Sequence, residues 1–256
     1  LVFFLTCCFI PAWPGAMHEV RGNGEMFPLN GPAWSLFFEY IGNIIYALII
    51  RRLSTRLLAM LVALLAVLHT WIFVWDLSGY DSVGIGWTID TINFWGGLVR
   101  MLFPFTMGML VARTFSPRKI KGAFWICSAI LLAVFAVPYI SSSGTPSLNS
   151  LYEVVCIVLI FPVVVWLGAS GRGEGVSGRI NSFLGELSYP LYIVHYPIMY
   201  LFYAWLIENH YYTLGQTLGV VALVVGSSIL LAYASLKLYD KPVRRWLAEK
   251  FVGGRN

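Results

Sequence analysis

Long apolar runs alternate along this chain with short polar connectors. The first run, residues 1–13, is partial, and seven fuller ones follow at about 33–50, 57–75, 91–112, 123–140, 149–168, 188–207 and 214–236. Each of the seven approaches the ~20 residues that a helix needs to cross a hydrocarbon core of ~30 Å. The connectors, such as Asp76–Asp90 and Ser141–Leu148, are rich in Gly, Pro, Ser, Asp and Asn, the residues that close turns. The pattern predicts an all-α, polytopic transmembrane bundle of one partial and seven full helices, without internal repeats. Thirteen helical residues reach only about 20 Å, and no basic leader precedes the first run. The expectation is therefore a chain that starts partway through a transmembrane helix of a longer protein. Pro104, Pro138, Pro162, Pro190 and Pro197 fall inside the runs and are expected to interrupt or bend them.

Composition narrows the class. Of 256 residues, 59% are hydrophobic and 11% are charged, against roughly 25% charged in soluble domains. That excludes an ordinary water-soluble enzyme, and an aromatic content of 16% excludes disorder. The basic residues orient the bundle. Arg51, Arg52 and Arg56 share one connector region, and Arg113, Arg118, Lys119 and Lys121 share the next on the same side. Arg172 and Arg179 follow, and Lys237, Lys241, Arg244, Arg245, Lys250 and Arg255 end the chain. These are fifteen of the 17 basic residues, and they occupy alternate connectors. By the positive-inside rule that side is cytoplasmic, and so is the C-terminus. The net charge of +5 thus reads as topology and contact with anionic headgroups; no nucleic-acid motif is present. Cys7, Cys8, Cys127 and Cys156 lie in apolar stretches without metal-type spacing and read as small fillers.

Ionisable groups at membrane depth are costly and point to function. Glu39 lies about 9 Å inside its span, with Ser35 and Asn43 one turn to either side, so a hydroxyl, a carboxyl and an amide share one helix face. The carboxyl can take a proton, accept from a substrate hydroxyl or neutralise an arginine. Arg100 sits about 14 Å from the outer end of its span, too deep for easy snorkelling. It cannot lose its charge, so Glu39 or an anionic ligand group are candidate partners. His195 lies about a third of the way across its span and His69 near the outer end of another; either could shuttle protons, although a structural role is the commoner one. His18 and His210 fall in outer connectors. No nucleotide-binding loop or zinc motif is present.

Four ordered segments resemble the acyltransferase-3 family of bacterial integral-membrane O-acyltransferases. Pro32-Ala-Trp-Ser-Leu-Phe-Phe-Glu39 is similar to its P-x-W-S-L-x-x-E signature, and Arg100-Met-Leu-Phe-Pro-Phe-Thr-Met-Gly108 to its R-x4-F-x2-G span. Leu184-Gly-Glu-Leu-Ser-Tyr-Pro-Leu-Tyr-Ile-Val-His195-Tyr-Pro looks like its L-G-x-x-S-Y-x-L-Y-x-x-H-x-P helix. Tyr239-Asp-Lys-Pro-Val-Arg-Arg-Trp246 looks like its terminal E-x-P-x-R-R exit, with Asp240 in place of Glu. The resemblance covers residues 20–247 and implies a domain of about ten helices whose first two, with a histidine central to catalysis, precede this sequence.

The resemblance implies transfer of an acyl group, acetyl in the expected case, from acyl-CoA to a hydroxyl of a sugar, glycolipid or cell-envelope glycan. The implied location is the bacterial inner membrane, with lipid, donor and carbohydrate acceptor as partners, no metal and no nucleic acid. Glu39 would orient or charge-balance the histidine base. Arg100 would hold anionic ligand groups or pair with Glu39. Trp34, Ser35, Asn43, Tyr189 and His195 would line the substrate path. The competing readings are a proton-coupled transporter of a glycan or lipid, which kinked helices and buried charges also suit, and a non-catalytic membrane scaffold.

Overall fold

The computed structural model describes residues 2–12, 24–116, 118–140, 146–171, 175–209 and 212–251. Among these, one isolated bridge joins Ile120 to Gly171 and everything else regular is helical. The helices are α1 (Val2–Cys7), α2 (Ala33–Leu48), α3 (Thr55–Val74), α4 (Thr91–Thr114), α5 (Ala123–Phe135), α6 (Leu148–Val155), α7 (Phe161–Ala169), α8 (Gly175–Glu208), α9 (Leu214–Ser235) and α10 (Lys241–Phe251). A π-helical segment, Cys156–Ile160, joins α6 to α7 as one rod, and a second, Leu236–Asp240, joins α9 to α10. The rods number one short and seven longer, as the hydropathy pattern predicts. Five are long and apolar enough to cross a membrane, so this is a multi-pass membrane protein. Arg21, Arg172, Arg255, His18 and His210 lie outside the described residues.

Helix starts follow local chemistry. Ser54, Asp90 and Ser147 each accept a hydrogen bond from a backbone N–H in the first turn of α3, α4 and α6, and Thr213 with Gln216 forms a capping box on α9, satisfying donors that a helix leaves orphaned. Several ends depart from expectation. α1 stops at Cys7 rather than near residue 13, because Phe9 adopts a left-handed φ of 56°. α5 stops at Phe135 rather than 140, since Pro138 lacks an N–H and turns Val137 away from helical geometry. α8 begins at Gly175, well before residue 188. Val176, Ile180, Phe183, Leu184 and Leu187 already repeat with helical period there, a signal that averaged hydropathy hides.

Pro138 apart, the prolines within the runs do not break the rods. α4 continues through Pro104 and α8 through Pro190 and Pro197. Pro162 and Pro242 each fall two residues after a π segment ends. The wider π turn relieves the clash between a proline ring and the carbonyl four residues before it.

The chain forms two compact units, Leu1–Arg172 and Gly173–Asn256. In the first, α4 packs against α2, α3 and α7, α3 against α6, and α5 against α7. The inward stripe of α3 is Leu58, Val62, Leu65, His69 and Phe73, at spacings of four and three that keep one face on the core. Met26, Phe27, Ala33, Trp34 and Phe38 form a second buried cluster against Phe94, Leu98 and Met101 of α4. In the second unit α8 and α9 pair as an antiparallel hairpin.

Asp90 carries a measurable share of this. Burial opposes its ionisation, but hydrogen bonds from Thr88 and Asn93 outweigh that and hold its carboxyl below the ordinary value. The stabilisation is full above the ordinary carboxylate range and is lost as the pH falls through the depressed value. Asp90→Ala is expected to cost about 1 kcal/mol at neutral pH. Thermal unfolding in detergent should show the gap to wild type closing on acidification; a gap independent of pH would refute the charge contribution.

Candidate functional site

The signature segment Pro32–Glu39 opens α2, and successive residues there differ by about 100° around the axis. Trp34 and Phe38 therefore share a face, which is buried against α4. Glu39 lies five residues past Trp34, about 140° away, on an exposed face with Tyr40 and Asn43. Ser35 stands between the two faces and donates to the Pro32 carbonyl at 3.0 Å. The Asn43 amide donates to the backbone carbonyl of Glu39 at 2.9 Å. Of the expected hydroxyl, carboxyl and amide, Glu39 and Asn43 share the exposed face and Ser35 lies at its edge; among the described residues the amide and carboxyl are not hydrogen-bonded to each other.

Arg100, on α4, points to the Trp34 side. Its guanidinium carbon lies 4.7 Å from the centre of the Trp34 ring, and Nη1 donates to the Ile85 carbonyl at 2.9 Å. Cation–π attraction of this kind is worth about 0.5–2 kcal/mol, more as water is excluded. The proposed pairing of Arg100 with Glu39 does not form: Arg100 of α4 lies against the Trp34 face of α2, and Glu39 leaves α2 on another face. Arg100 is half-buried, and its side chain ends on the connector between α3 and α4.

The Ile85 carbonyl belongs to the connector between α3 and α4, which is strapped down from several sides. Asn93 Oδ1 accepts from the Gly86 N–H at 3.0 Å, Glu153 from the Val83 N–H at 2.6 Å, and the Trp87 carbonyl from the Met26 N–H at 2.7 Å. Asn93 is itself buried and donates to Asp90. Gly86 makes the close approach possible. Its φ is +110°, and a Cβ there would lie 2.7 Å from the Trp34 ring and 3.1 Å from the Gly97 backbone. Gly86→Ala is expected to cost about 1–3 kcal/mol through overpacking and to loosen Trp34. Gly79, at φ +73° with nothing within 4 Å, isolates backbone strain. Unfolding midpoints should fall clearly further for Gly86→Ala than for Gly79→Ala; equal losses would exclude the Trp34 contact as the cause.

Beside this connector a cavity of about 340 Å³ is lined by Tyr139, Asn149, Tyr152, Glu153 and Cys156 with apolar neighbours. The Asn149 amide donates to Glu153 at 3.1 Å and to the Asp81 carbonyl at 3.0 Å. Tyr139 donates to Asp81, which pushes its phenol pKa upward. Glu153 is an acid inside an apolar run, the signal that singled out Glu39, and sequence reasoning passed over it. Asn93 was legible only as a partner of the Asp90 cap.

His69 is fully buried, its ring 4.6 Å from Phe73 and 5.6 Å from Phe103, and neither ring nitrogen has a hydrogen-bond partner among the described residues. Phe103 lies one turn beyond Arg100, so His69 borders the Arg100 face of α4. Tyr189 and His195 belong to the second unit. His195 Nδ1 lies 3.0 Å from the carbonyls of both Leu191 and Tyr192. A carbonyl only accepts, so Nδ1 carries the hydrogen. Tyr189 is exposed and borders a charged cleft with Glu186 and Lys241. Among the described residues no cluster of His, Cys, Asp and Glu could hold a metal ion.

The helices and the residues on them define a multi-pass membrane helix bundle. Residues 1–234 match the acyltransferase-3 family model, described as an acyltransferase domain, and the chain belongs to that family. No curated protein and no solved structure matches it.

Proposed function

We propose that the protein moves an acyl group, acetyl in the simplest case, from an acyl-CoA to a hydroxyl of a sugar, glycolipid or cell-envelope glycan. The family match supports acyl transfer in general. The observation that carries the site is the arrangement around α2: Trp34 held under Arg100 on one face, and the Glu39 carboxyl open on another. In the reaction the acceptor oxygen attacks the thioester carbonyl, the carbon–sulfur bond breaks, and the hydroxyl proton passes to a base and then to the leaving thiolate. Glu39 orients or charge-balances that base. Arg100 holds Trp34 and the 82–87 connector beside the path. Ser35 and Asn43 line the path beside Glu39, and Tyr189 and His195 are the second unit's candidate substrate contacts. The protein sits in the bacterial cytoplasmic membrane with its basic connectors and C-terminus inside, where acyl-CoA is available.

Membranes carrying the protein, incubated with acyl-labelled acetyl-CoA, are expected to transfer label to extractable glycan or glycolipid. Movement of acceptor across the membrane without label would replace this reading with transport.

A further inference from the structure

At the basic end of the second unit, α8 and the α9–α10 rod enclose a cleft of about 740 Å³. Glu186 and Tyr189 line it from α8, and Asp240, Lys241, Arg244 and Arg245 from the other rod. A neighbouring concavity of about 510 Å³ shares Lys241 and Arg245 and adds Lys237 and Trp246. Lys241, Arg244 and Arg245 are spaced i, i+3 and i+4, which gathers them on one face of α10. The preceding π segment, Leu236–Asp240, rotates that turn relative to α9; such segments recur at functional sites.

The charges do not cancel. Glu186 engages Lys241 at 2.8 Å and Asp240 engages Arg244, so the two acids of the cleft hold two of its three cations in place; Glu249 lines only the neighbouring concavity. Arg245 makes no ion pair or hydrogen bond among the described residues. Arg244 keeps donors beyond those used by Asp240, since a guanidinium has five N–H groups in a planar fork. Two such forks and an ammonium around a concavity match a phosphate.

Depth agrees with that chemistry. Measured along α8 from Glu208, at the hairpin tip, Tyr189 lies about 28 Å away and Glu186 about 33 Å. One hydrocarbon thickness is ~30 Å, so the cleft opens at the headgroup level of the membrane face opposite the tip. Lys237, Lys241, Arg244, Arg245 and Lys250 lie at this end of the second unit.

We propose that this cleft binds a phosphate group, gripped by Arg244, Arg245 and Lys241, with the Tyr189 ring closing its membrane side. The phosphate is carried either by the headgroup of an anionic lipid or by a nucleotide-type donor. The coenzyme A source rests on the acyl-transfer reading, and the test measures binding alone, so failure of the cleft and failure of acyl transfer are read separately. The purified protein in neutral detergent is titrated separately with coenzyme A and with short-chain phosphatidylglycerol. Wild type is expected to bind at least one of them, with affinity falling about tenfold in Arg245→Ala and further in Arg245→Glu. Arg245 is exposed, so both variants should fold, and Arg245→Lys should recover part of the loss. Arginine-dependent binding of phosphatidylglycerol only identifies the lipid source, and of coenzyme A only the donor; both support the cleft. Binding of neither probe, or affinities indifferent to all three variants, overturns it.

Discussion

Glu39→Gln is expected to lower acyl transfer by at least about a hundredfold while leaving membrane insertion and unfolding midpoint unchanged. General acid–base groups and the charges that support them contribute on the order of 10²–10⁴ to rate. The structure makes this substitution informative because Glu39 lies on an exposed face of α2 and makes no side-chain hydrogen bond or ion pair among the described residues. Nothing in the packing depends on its charge, so lost activity would report chemistry. A carboxyl at this depth is expensive in lipid, and its exposed face is where a proton or a polar group must meet it. Transfer at wild-type rate by Glu39→Gln, with insertion confirmed, would remove Glu39 from the mechanism.

Arg100→Ala should be the most damaging single change to the first unit. It removes the cation–π contact to Trp34, worth about 0.5–2 kcal/mol, and strips the Ile85 carbonyl of a donor, at about 1–3 kcal/mol for a buried acceptor. The 82–87 connector and Trp34 should loosen together. The expected result is a lower unfolding midpoint together with loss of transfer. Arg100→Lys separates the two roles. An ammonium can still sit over an aromatic ring but cannot fork toward two partners. Lys is therefore expected to recover much of the stability and little of the turnover, with kcat falling more than KM rises. Equal recovery of both would make Arg100 a structural anchor alone.

The structure changes how Arg100 is read. Depth and permanent charge pointed to Glu39 as a partner, since both are rare ions in apolar runs. Trp34 and Glu39 are about 140° apart on α2, so α4 can face only one of them, and the burial of Phe38 and Ala33 decides for the Trp34 side. The arginine meets an aromatic face and a backbone carbonyl, two partners that carry no charge signal in a sequence. His69 likewise read as a lone histidine near a helix end, yet it lies wholly within the α3 stripe. Glu153 was legible by the same rule that found Glu39. Its role in holding the Val83 N–H was not, because that contact joins residues 70 positions apart.

The sequence by itself determined the class, the number and approximate limits of the helical rods, and the family. These follow from local quantities: the length of an apolar run and the order of short motifs. Tertiary structure alone decided which face of each helix is buried, that Arg100 clasps Trp34 and Ile85, that Gly86 admits the Trp34 ring, and that α8 and α10 gather Lys241, Arg244 and Arg245 into a cleft. Each of those depends on the rotation of one helix against another, and that rotation is set by packing between residues far apart in the chain.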